Sequence, residues 1–561
     1  MAKSTPAKNN PTESTPADQA DTIRTGYAFE GPTVSLGAAL TGGDLHPEAQ
    51  VRLPLRMMNR HGLVAGATGT GKTITLQVMA EQLSTAGVPV FLADIKGDLS
   101  GLAVPGSPTD RLLERTRSVG QDWAGQGFPV EFLALGGDGA GVPVRATVTS
   151  FGPLLLSRVM DLNETQESSL QLVFHYADQK DLELHDLKDL RAVITHLTSP
   201  AGKPELEELG GLSKATAGVL LRELVGLEAQ GLAGFFGEPE FGTAELLRTA
   251  PDGRGVVTCL ELPTLLQKPL LFSTFLMWLL ADLFAELPEV GDADRPRLVF
   301  FLDEAHLLFR GASKAFLEAV ATTVRLIRSK GVGVFFVTQT PKDVPEEVLG
   351  QLANRIQHAL RAFTPDDAKA LRATVSTFPV SGYDLAEALT TAGTGEAIVT
   401  VMNERGAPTP VAWTRMRSPV STMGPAPAET VRQAVAGSAL LAVYGTAVDR
   451  ASAFEKLKGT TPAPTGGPAP TGDAAGGRGP GAEPDQGEQN QREIDAEARR
   501  IEEEILGRPS SRPAPRERTP TPAPAPEPAS NPLLDEAMEA AAAIGQELLR
   551  GMFGTRRRRR R

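Results

Sequence analysis

One stretch of eight residues constrains this chain most, because it fits the phosphate-binding pattern G-x-x-x-x-G-K-[ST] without a mismatch. Its residues are Gly66, Ala67, Thr68, Gly69, Thr70, Gly71, Lys72 and Thr73. A short apolar run that predicts a buried strand precedes it, and a run that predicts a helix follows it. Glycines let backbone N–H groups turn toward phosphate oxygens, and the helix N-terminus adds a favourable dipole. The pattern therefore predicts a P-loop, in which Lys72 reaches the β- and γ-phosphates and Thr73 ligates Mg²⁺.

A hydrophobic run that ends in two acidic residues is the expected partner of this loop. It spans residues 297–302 and leads into Asp303 and Glu304. Asp303 is predicted to hold Mg²⁺ through water, together with Thr73, and Glu304 to orient and activate the attacking water. The alternative is a strand-end turn with solvated acids. Because enzymes that phosphorylate small molecules usually use a base from elsewhere, the adjacent glutamate favours hydrolysis.

Two more polar residues follow predicted strands. In a parallel sheet, the carboxyl ends of the strands converge on the ligand crevice. Gln339 follows the strand 333–338, and it would sense the γ-phosphate or the attacking water; the alternative is a cap on the next turn. Asp94 follows a strand that starts at residue 88, and it is a candidate nucleotide-binding residue; the alternative is a turn former in the sequence 94–98.

Four arginines are candidates for a role in catalysis across a subunit boundary. A guanidinium that reaches a neighbour's γ-phosphate couples hydrolysis to subunit contact. The alternative for each of them is an ordinary surface salt bridge. The four lie in two clusters, Arg325 and Arg328 in the first and Arg355 and Arg361 in the second.

Strands that alternate with helices predict an α/β P-loop NTPase fold with a mainly parallel sheet covered on both faces. The predicted ATPase domain spans 26–425 and contains a helical insertion at about 151–235, where apolar residues recur at spacings of three and four. The flanking segments are predicted from composition and periodicity. They are a disordered N-terminus over 1–25, a helix over 426–458, a low-complexity linker over 459–530 with a short helix at 493–506, and an amphipathic helix with a poly-arginine tail over 531–561.

Composition narrows the class of protein. The formal net charge is −12, so no global basic field argues for nucleic acid, although the chain ends in six arginines. The single cysteine, Cys259, excludes intramolecular disulfides and a cysteine-based metal site. No signal peptide is visible, and the apolar run 270–284 is too short for a membrane span. These features predict a cytoplasmic protein.

Several linear motifs resemble those of bacterial HerA-like ATPases of the YjgR type, which carry a helicase HerA-like C-terminal domain. The resemblance extends over about residues 26–425. The matching stretches are Asn59-Arg60-His61-Gly62-Leu63-Val64-Ala65, Ala93-Asp94-Ile95-Lys96-Gly97-Asp98-Leu99, Pro143-Val144-Arg145-Ala146-Thr147-Val148, Phe235-Phe236-Gly237-Glu238-Pro239, Phe301 to Phe309, Arg325 to Val334 and Gly350 to Pro365.

The resemblance implies a RecA-like fold of the HerA and FtsK group, whose members form hexameric rings that pump or process double-stranded DNA. It implies ATP and Mg²⁺ as cofactors, and active sites between subunits with an arginine donated in trans. By position, Arg325 or Arg328 matches that arginine, and Arg355 or Arg361 matches a sensor. Two departures are visible: the segment before the P-loop is too short for the N-terminal β-barrel of HerA proper, and no DNA-reading domain is recognisable.

Two functions of different classes are compatible with these features. The first is an ATP-driven, ring-shaped DNA translocase or helicase. The second is an ATP-dependent regulatory or assembly switch recruited to a protein or membrane partner. The second rests on the C-terminal amphipathic helix and its arginines, which could contact anionic lipid, nucleic acid or a partner helix.

Overall fold

The computed structural model describes residues 15–459, apart from 137–138, 209, 263–267, 292 and 311–313. The predictions for residues 1–14 and for everything beyond residue 459 lie outside the described residues. They include the linker, the short helix at 493–506 and the terminal amphipathic helix with its arginines.

The described residues contain one sheet of twelve strands. In chain order the strands are β1 (Thr33–Thr41), β2 (Asp44–Pro54), β3 (Gly62–Ala65), β4 (Val90–Asp94), β5 (Val130–Leu135), β6 (Val142–Val144), β7 (Val257–Glu261), β8 (Leu298–Leu302), β9 (Val332–Thr338), β10 (Asn354–His358), β11 (Glu396–Thr400) and β12 (Ala412–Met416).

Seventeen α-helices lie between and around these strands in the same part of the chain. They are α1 (Pro16–Gly26), α2 (Lys72–Thr85), α3 (Asp110–Ser118), α4 (Val148–Val159), α5 (Glu164–Gln179), α6 (Leu187–Thr198), α7 (Lys203–Glu208), α8 (Lys214–Ala229), α9 (Pro269–Glu286), α10 (His306–Phe309), α11 (Lys314–Ile327), α12 (Glu346–Leu349), α13 (Pro365–Val375), α14 (Leu385–Thr391), α15 (Ala428–Ala436), α16 (Ala439–Tyr444) and α17 (Ala453–Lys458).

The strand order brings the predicted site residues to one edge of the sheet. It is β2-β1-β12-β11-β10-β3-β9-β8-β4-β7-β5-β6, and neighbours from β10 to β6 are parallel. The strand before the P-loop, β3, is separated from the strand that leads to the acidic pair, β8, by β9 alone. This is the RecA-like α/β arrangement that the sequence predicted, and buried apolar residues cover both faces of the central strands.

The four remaining strands form an antiparallel edge that begins at β11. Helix α1 contacts β1 and β2, so the prediction of disorder up to residue 25 is wrong for residues 16–25. The helix has a capping box between Thr15 and Asp18 and a proline at its start, and Ile23 is buried. These local signals and one apolar anchor outweigh the polar composition of the segment.

Helices α4 to α8 lie between β6 and β7 in the chain, over the stretch for which the sequence predicts a helical insertion. The single helix predicted over 426–458 is wrong, because the structure has three short helices there, α15 to α17. The first ends at Gly437 and the second at Gly445. Ser438 and Ser452 cap the helices that follow, and glycine and serine both favour helix ends over helix interiors.

The apolar run 270–284 lies within helix α9, which contacts α11 and α4. By length and composition α9 could cross a membrane, and it is the one helix of the described residues that could. Most of its residues are buried in the core, including Trp278, which is the environment of a core helix.

Candidate active site

The P-loop leaves strand β3 in a conformation that requires glycine at three positions. Gly66, Gly69 and Gly71 have φ values of 154°, 78° and 115°, in the region that other residues avoid. A Cβ at Gly66 would lie 2.5 Å from Cβ of His358, so the loop also passes too close to its neighbour for a side chain. The loop is anchored by the N–H groups of Gly66 and Ala67, which donate to the carbonyls of Thr338 and Ala359.

Helix α2 begins directly at the end of this loop. The N–H of Thr75 is the first to bond back along the helix, to the carbonyl of Gly71 at 2.9 Å. The N–H groups before it belong to the first turn and have no acceptor within the helix. With the helix dipole, these N–H groups are the donors with which the predicted P-loop would bind phosphate.

Lys72 is folded back into the loop. Its Nζ donates to the carbonyl of Gly66 at 2.6 Å and to that of Ala67 at 3.2 Å. Burial lowers the pKa of Lys72, while the nearby charges of Glu304 and Asp303 act in the opposite direction. The ammonium group therefore lies in the field of both acids, as expected of a lysine placed between a phosphate site and a metal site.

Asp303 is almost fully buried just beyond strand β8. Its Oδ1 accepts the N–H of Glu304 at 2.9 Å, and its Oδ2 is buried without a hydrogen-bond partner among the described residues. Burial, together with the charge of Glu304 and against the opposing charge of Lys96, raises the pKa of Asp303 to about 6. A free, buried carboxylate oxygen fits a role in holding Mg²⁺ or one of its waters.

Glu304 is held in a strained backbone conformation by contacts on both oxygens of its side chain. Its φ is 49°, which is uncommon for a residue other than glycine. Lys96 Nζ lies 2.5 Å from Oε1, and Gln339 Nε2 donates to Oε2 at 2.6 Å. His306 Nδ1 lies 3.3 Å from Oε2 without hydrogen-bond geometry. The predicted catalytic base and Gln339, the predicted sensor, are thus in direct contact.

Asp94 ends strand β4 and organises the loop that follows. Its Oδ1 accepts the N–H groups of Lys96 and Gly97 at 3.2 and 2.7 Å, and its Oδ2 accepts that of Leu99 at 2.9 Å. Burial raises the pKa of Asp94 to about 6. The turn-forming alternative therefore describes its observed contacts, and a role in nucleotide binding stays a prediction.

The four candidate arginines lie in different places. Arg325 and Arg328 are exposed and come just before the start of β9, so they lie toward the sheet edge opposite the P-loop. Arg355 lies at the start of β10, where its Nη1 is 3.4 Å from the carbonyl of Thr377, and burial lowers its pKa. Arg361 is exposed beyond the end of β10, on the P-loop side.

The donor set fits Mg²⁺. Thr73 offers a hydroxyl in the first turn of α2, and Asp303 offers its unpartnered oxygen. Hard oxygen ligands of this kind, with water completing the shell, suit Mg²⁺. The described residues contain no cluster of three or more histidine, cysteine or acidic side chains suited to a different metal site.

Three residues matter to the site although their roles were not predicted. Lys96 reaches Glu304 from the loop after β4. His358 lies beneath the P-loop, where its Nδ1 is 2.9 Å from the carbonyl of Glu396 and its Nε2 is 3.0 Å from Thr75 Oγ1. Burial lowers the pKa of His358 to about 4, so the ring is neutral. The motifs contained Lys96 and His358, but only the fold shows what they contact.

A third such residue, Glu81, ties the P-loop helix to the segment after β12. Its carboxylate accepts the N–H groups of Val420 and Ser421 and the hydroxyl of Ser421. One turn earlier, Gln77 donates to the same Ser421 hydroxyl at 2.6 Å. These buried contacts fix the orientation of helix α2, and with it the start of the phosphate site.

Several solved structures are similar to part of this chain at low sequence identity. The bacterial conjugative coupling protein TrwBdeltaN70 in its unbound form is 16% identical over 72% of this chain and 94% of its own, with a TM-score of 0.46. The plasmid coupling protein TrwB in complex with ADP and Mg²⁺ is 16% identical over 70% and 98%, with a TM-score of 0.45. VirB4 of Thermoanaerobacter pseudethanolicus is 16% identical over 71% and 98%, with a TM-score of 0.40.

No curated protein matches the chain. A family model described as "Helicase HerA-like C-terminal" matches residues 41–561, which is most of the chain and includes every residue of the site. The chain therefore belongs to the family of proteins with a HerA-like C-terminal helicase domain.

Proposed function

We propose that this protein is a Mg²⁺-dependent ATPase that uses hydrolysis to drive a motor acting on DNA. The observation that carries the ATPase is the convergence of Lys72 with the Asp303–Glu304 pair at one sheet edge. A phosphate-binding lysine, a buried carboxylate with a free oxygen and a water-activating carboxylate are the groups that hydrolysis of a nucleoside triphosphate needs.

Each side chain has a distinct task in this mechanism. Lys72 exchanges the carbonyls of its own loop for oxygens of the β- and γ-phosphates. Thr73 and Asp303 would hold Mg²⁺, which would supply positive charge against the charge that develops on the phosphates. Glu304 orients the attacking water and takes up its proton, while the amide of Gln339 fixes the direction of the Glu304 carboxylate.

The central test is the variant Glu304→Gln, which keeps the shape of the side chain and removes its charge. We expect it to bind ATP with unchanged or higher affinity and to hydrolyse it about 10²–10⁴-fold more slowly, which is the usual contribution of a general base. The matched control is Glu318→Gln on helix α11, where the side chain is 67% exposed. Turnover near the wild-type rate in Glu304→Gln would remove Glu304 from the mechanism.

The support for a motor that acts on DNA is less direct than the support for ATP hydrolysis. The motor is supported by membership of a family whose description refers to a helicase, and by the exposed arginines 325, 328 and 361, which are available to a neighbouring subunit. In a hexameric ring, one of them would contact the γ-phosphate bound by the next subunit.

Duplex DNA, single-stranded DNA and RNA should therefore be compared as activators of hydrolysis, and the mass of the ATP-bound protein should be measured in solution. We expect an oligomer whose turnover rises with duplex DNA. A monomer whose turnover ignores all three polymers would contradict the motor and leave the ATPase standing. Arg325→Ala, Arg328→Ala and Arg361→Ala can then be ranked by turnover in the assembled protein.

A further inference from the structure

The proposed mechanism leaves Lys96, which contacts Glu304, without a task. It lies in the loop after β4, and its ammonium group contacts Oε1 of Glu304 at 2.5 Å. Burial lowers its pKa, but the hydrogen bond to Glu304 and the charge of Asp303 outweigh this effect, so that the pKa is raised overall. The group is therefore a permanent cation beside the predicted catalytic base.

In the structure this contact occupies the predicted catalytic base. Oε1 of Glu304 accepts from Lys96, and Oε2 accepts from Gln339. Each oxygen thus has one acceptor position in use, and the ammonium group of Lys96 competes with a water for Oε1. The contact with Gln339 can persist during hydrolysis, because a neutral amide does not hinder uptake of a proton. The contact with Lys96 has to weaken.

The backbone of the Lys96 loop is fixed, but its side chain is free to move. Three backbone N–H groups of the loop bond to Asp94, which is buried at the end of β4. In contrast, the Lys96 side chain is 45% exposed, whereas that of Glu304 is 9% exposed. The ammonium group of Lys96 can regain water or a new anion when it moves, and Gln339 still donates to the buried Glu304, which limits the cost of breaking the pair.

We propose that Lys96 is a γ-phosphate ligand that alternates between two anions. It neutralises Glu304 in the ligand-free protein, and it moves to the terminal phosphate when a triphosphate binds, which frees Glu304 to orient water. This inference rests on the proposed ATPase function and adds a residue that distinguishes triphosphate from diphosphate.

The charges at the site favour such a transfer. Lys72, Asp303 and Glu304 are close enough to Lys96 to influence its pKa or to be influenced by its charge. A γ-phosphate between Lys72 and Glu304 therefore brings negative charge into the immediate surroundings of Lys96. The terminal phosphate offers more acceptor oxygens and more charge than a single carboxylate does.

The experiment is a comparison of binding affinities. ADP and the non-hydrolysable ATP analogue ADPNP would be titrated, with Mg²⁺, into the wild type, Lys96→Gln and Lys96→Arg by calorimetry. We expect Lys96→Gln to weaken binding of ADPNP about tenfold while ADP binding stays within about twofold, since a charge-assisted hydrogen bond to phosphate is lost only with the triphosphate. Lys96→Arg should keep most of the preference for ADPNP over ADP, because arginine keeps the positive charge.

The controls separate this role from a structural one. Lys369→Gln removes a positive charge from an exposed position of helix α13 and should leave both affinities unchanged. The Tm of Lys96→Gln without nucleotide should fall within about 2 °C of the wild type, because the Lys96 side chain is 45% exposed and the glutamine amide can still donate to Glu304. Should that variant unfold, Lys96→Met tests the same loss of charge with a similar chain length.

Two results would overturn the inference. If Lys96→Gln binds ADPNP and ADP with the wild-type affinities, Lys96 does not leave Glu304. If the variant binds both nucleotides more weakly by the same factor, Lys96 does not distinguish the triphosphate from the diphosphate. Both are distinct from failure of the proposed ATPase, which would appear as a wild type that binds neither nucleotide or as a fully active Glu304→Gln variant.

Discussion

The substitution Asp303→Asn is expected to stabilise the ligand-free protein while it impairs the metal site. Asp303 is buried, its Oδ2 has no hydrogen-bond partner in the part of the chain that the structure describes, and its pKa is raised from 3.8 to about 6. A group with a raised pKa in the folded state favours folding only while it is protonated. Its ionisation in the folded protein therefore costs free energy at neutral pH. Asparagine removes the charge and can still accept the N–H of Glu304 through its Oδ1.

The size of the effect follows from linkage. A pKa of about 6 against 3.8 in the unfolded chain corresponds to about 3 kcal/mol above pH 7, since one unit is worth about 1.4 kcal/mol. The cost begins as the pH rises through 3.8, reaches about half its value near pH 5 and is complete above about pH 7. For a folded region of roughly 450 residues, about 3 kcal/mol corresponds to a rise in Tm of about 3 °C.

Thermal unfolding with a chelator present, at about pH 5 and about pH 7.5, measures this difference. The exposed residue Asp366 of helix α13 supplies the control, Asp366→Asn. Addition of ADP and Mg²⁺ should then raise the Tm of the wild type more than that of Asp303→Asn, which has lost the carboxylate for the metal. If the Tm of Asp303→Asn is below that of the wild type at pH 7.5, or exceeds it by the same amount at both pH values, then ionisation of Asp303 does not destabilise the folded protein.

Two further substitutions test how the P-loop is held. Gly66→Ala should reduce stability by about 1–3 kcal/mol and abolish nucleotide binding, because the φ of Gly66 is 154° and a Cβ there would lie 2.5 Å from His358. Gly69→Ala is the control, since a Cβ at Gly69 meets nothing within 4 Å, and it should lose less stability and less nucleotide affinity. Thermal melting and nucleotide titration measure the two effects. Glu81→Ala should cost about 2–5 kcal/mol in thermal or denaturant unfolding, because two buried N–H groups lose their acceptor. If Glu81→Ala unfolds at the same temperature as the wild type, Glu81 is not an anchor of α2.

The elements of the site that could be predicted from the sequence are those whose chemistry is local. The P-loop and the pair Asp303–Glu304 each occupy consecutive residues, and their roles follow from residue type and from the strand before them. Gln339 could be placed at the same edge because parallel strands end there together, and its contact with Glu304 agrees with that expectation.

The contacts that join distant parts of the chain could not be predicted in the same way. Lys96 and Glu304 are 208 residues apart in sequence, and they meet because β4 and β8 are neighbours in the sheet. Nothing in the Lys96 sequence motif indicates which anion it faces. The roles of the arginines are harder to predict, since a trans role of an exposed guanidinium depends on a neighbouring subunit and not on contacts within its own chain.

Local signals were also overlooked where composition pointed elsewhere. Thr15, Pro16 and Asp18 form a helix start that the surrounding serine, threonine and proline residues obscured. In the segment 426–458 the reverse happened, because alanine-rich composition suggested one helix although Gly437 and Gly445 interrupt it. In both cases the residues that cap or end a helix were more informative than the average composition.

Three features at this edge of the sheet oppose folding, and they have a common explanation. Asp94 and Asp303 both have pKa values raised to about 6, and Glu304 adopts a backbone conformation that side chains rarely accept. Each feature opposes folding, and the large apolar core beneath the site offsets them. Strain and buried charge of this kind persist where they serve a ligand. Mg²⁺ would relieve the repulsion between Asp303 and Glu304, and a triphosphate would draw Lys96 away from Glu304. The same groups that oppose folding would thus make nucleotide binding the step that releases the catalytic base.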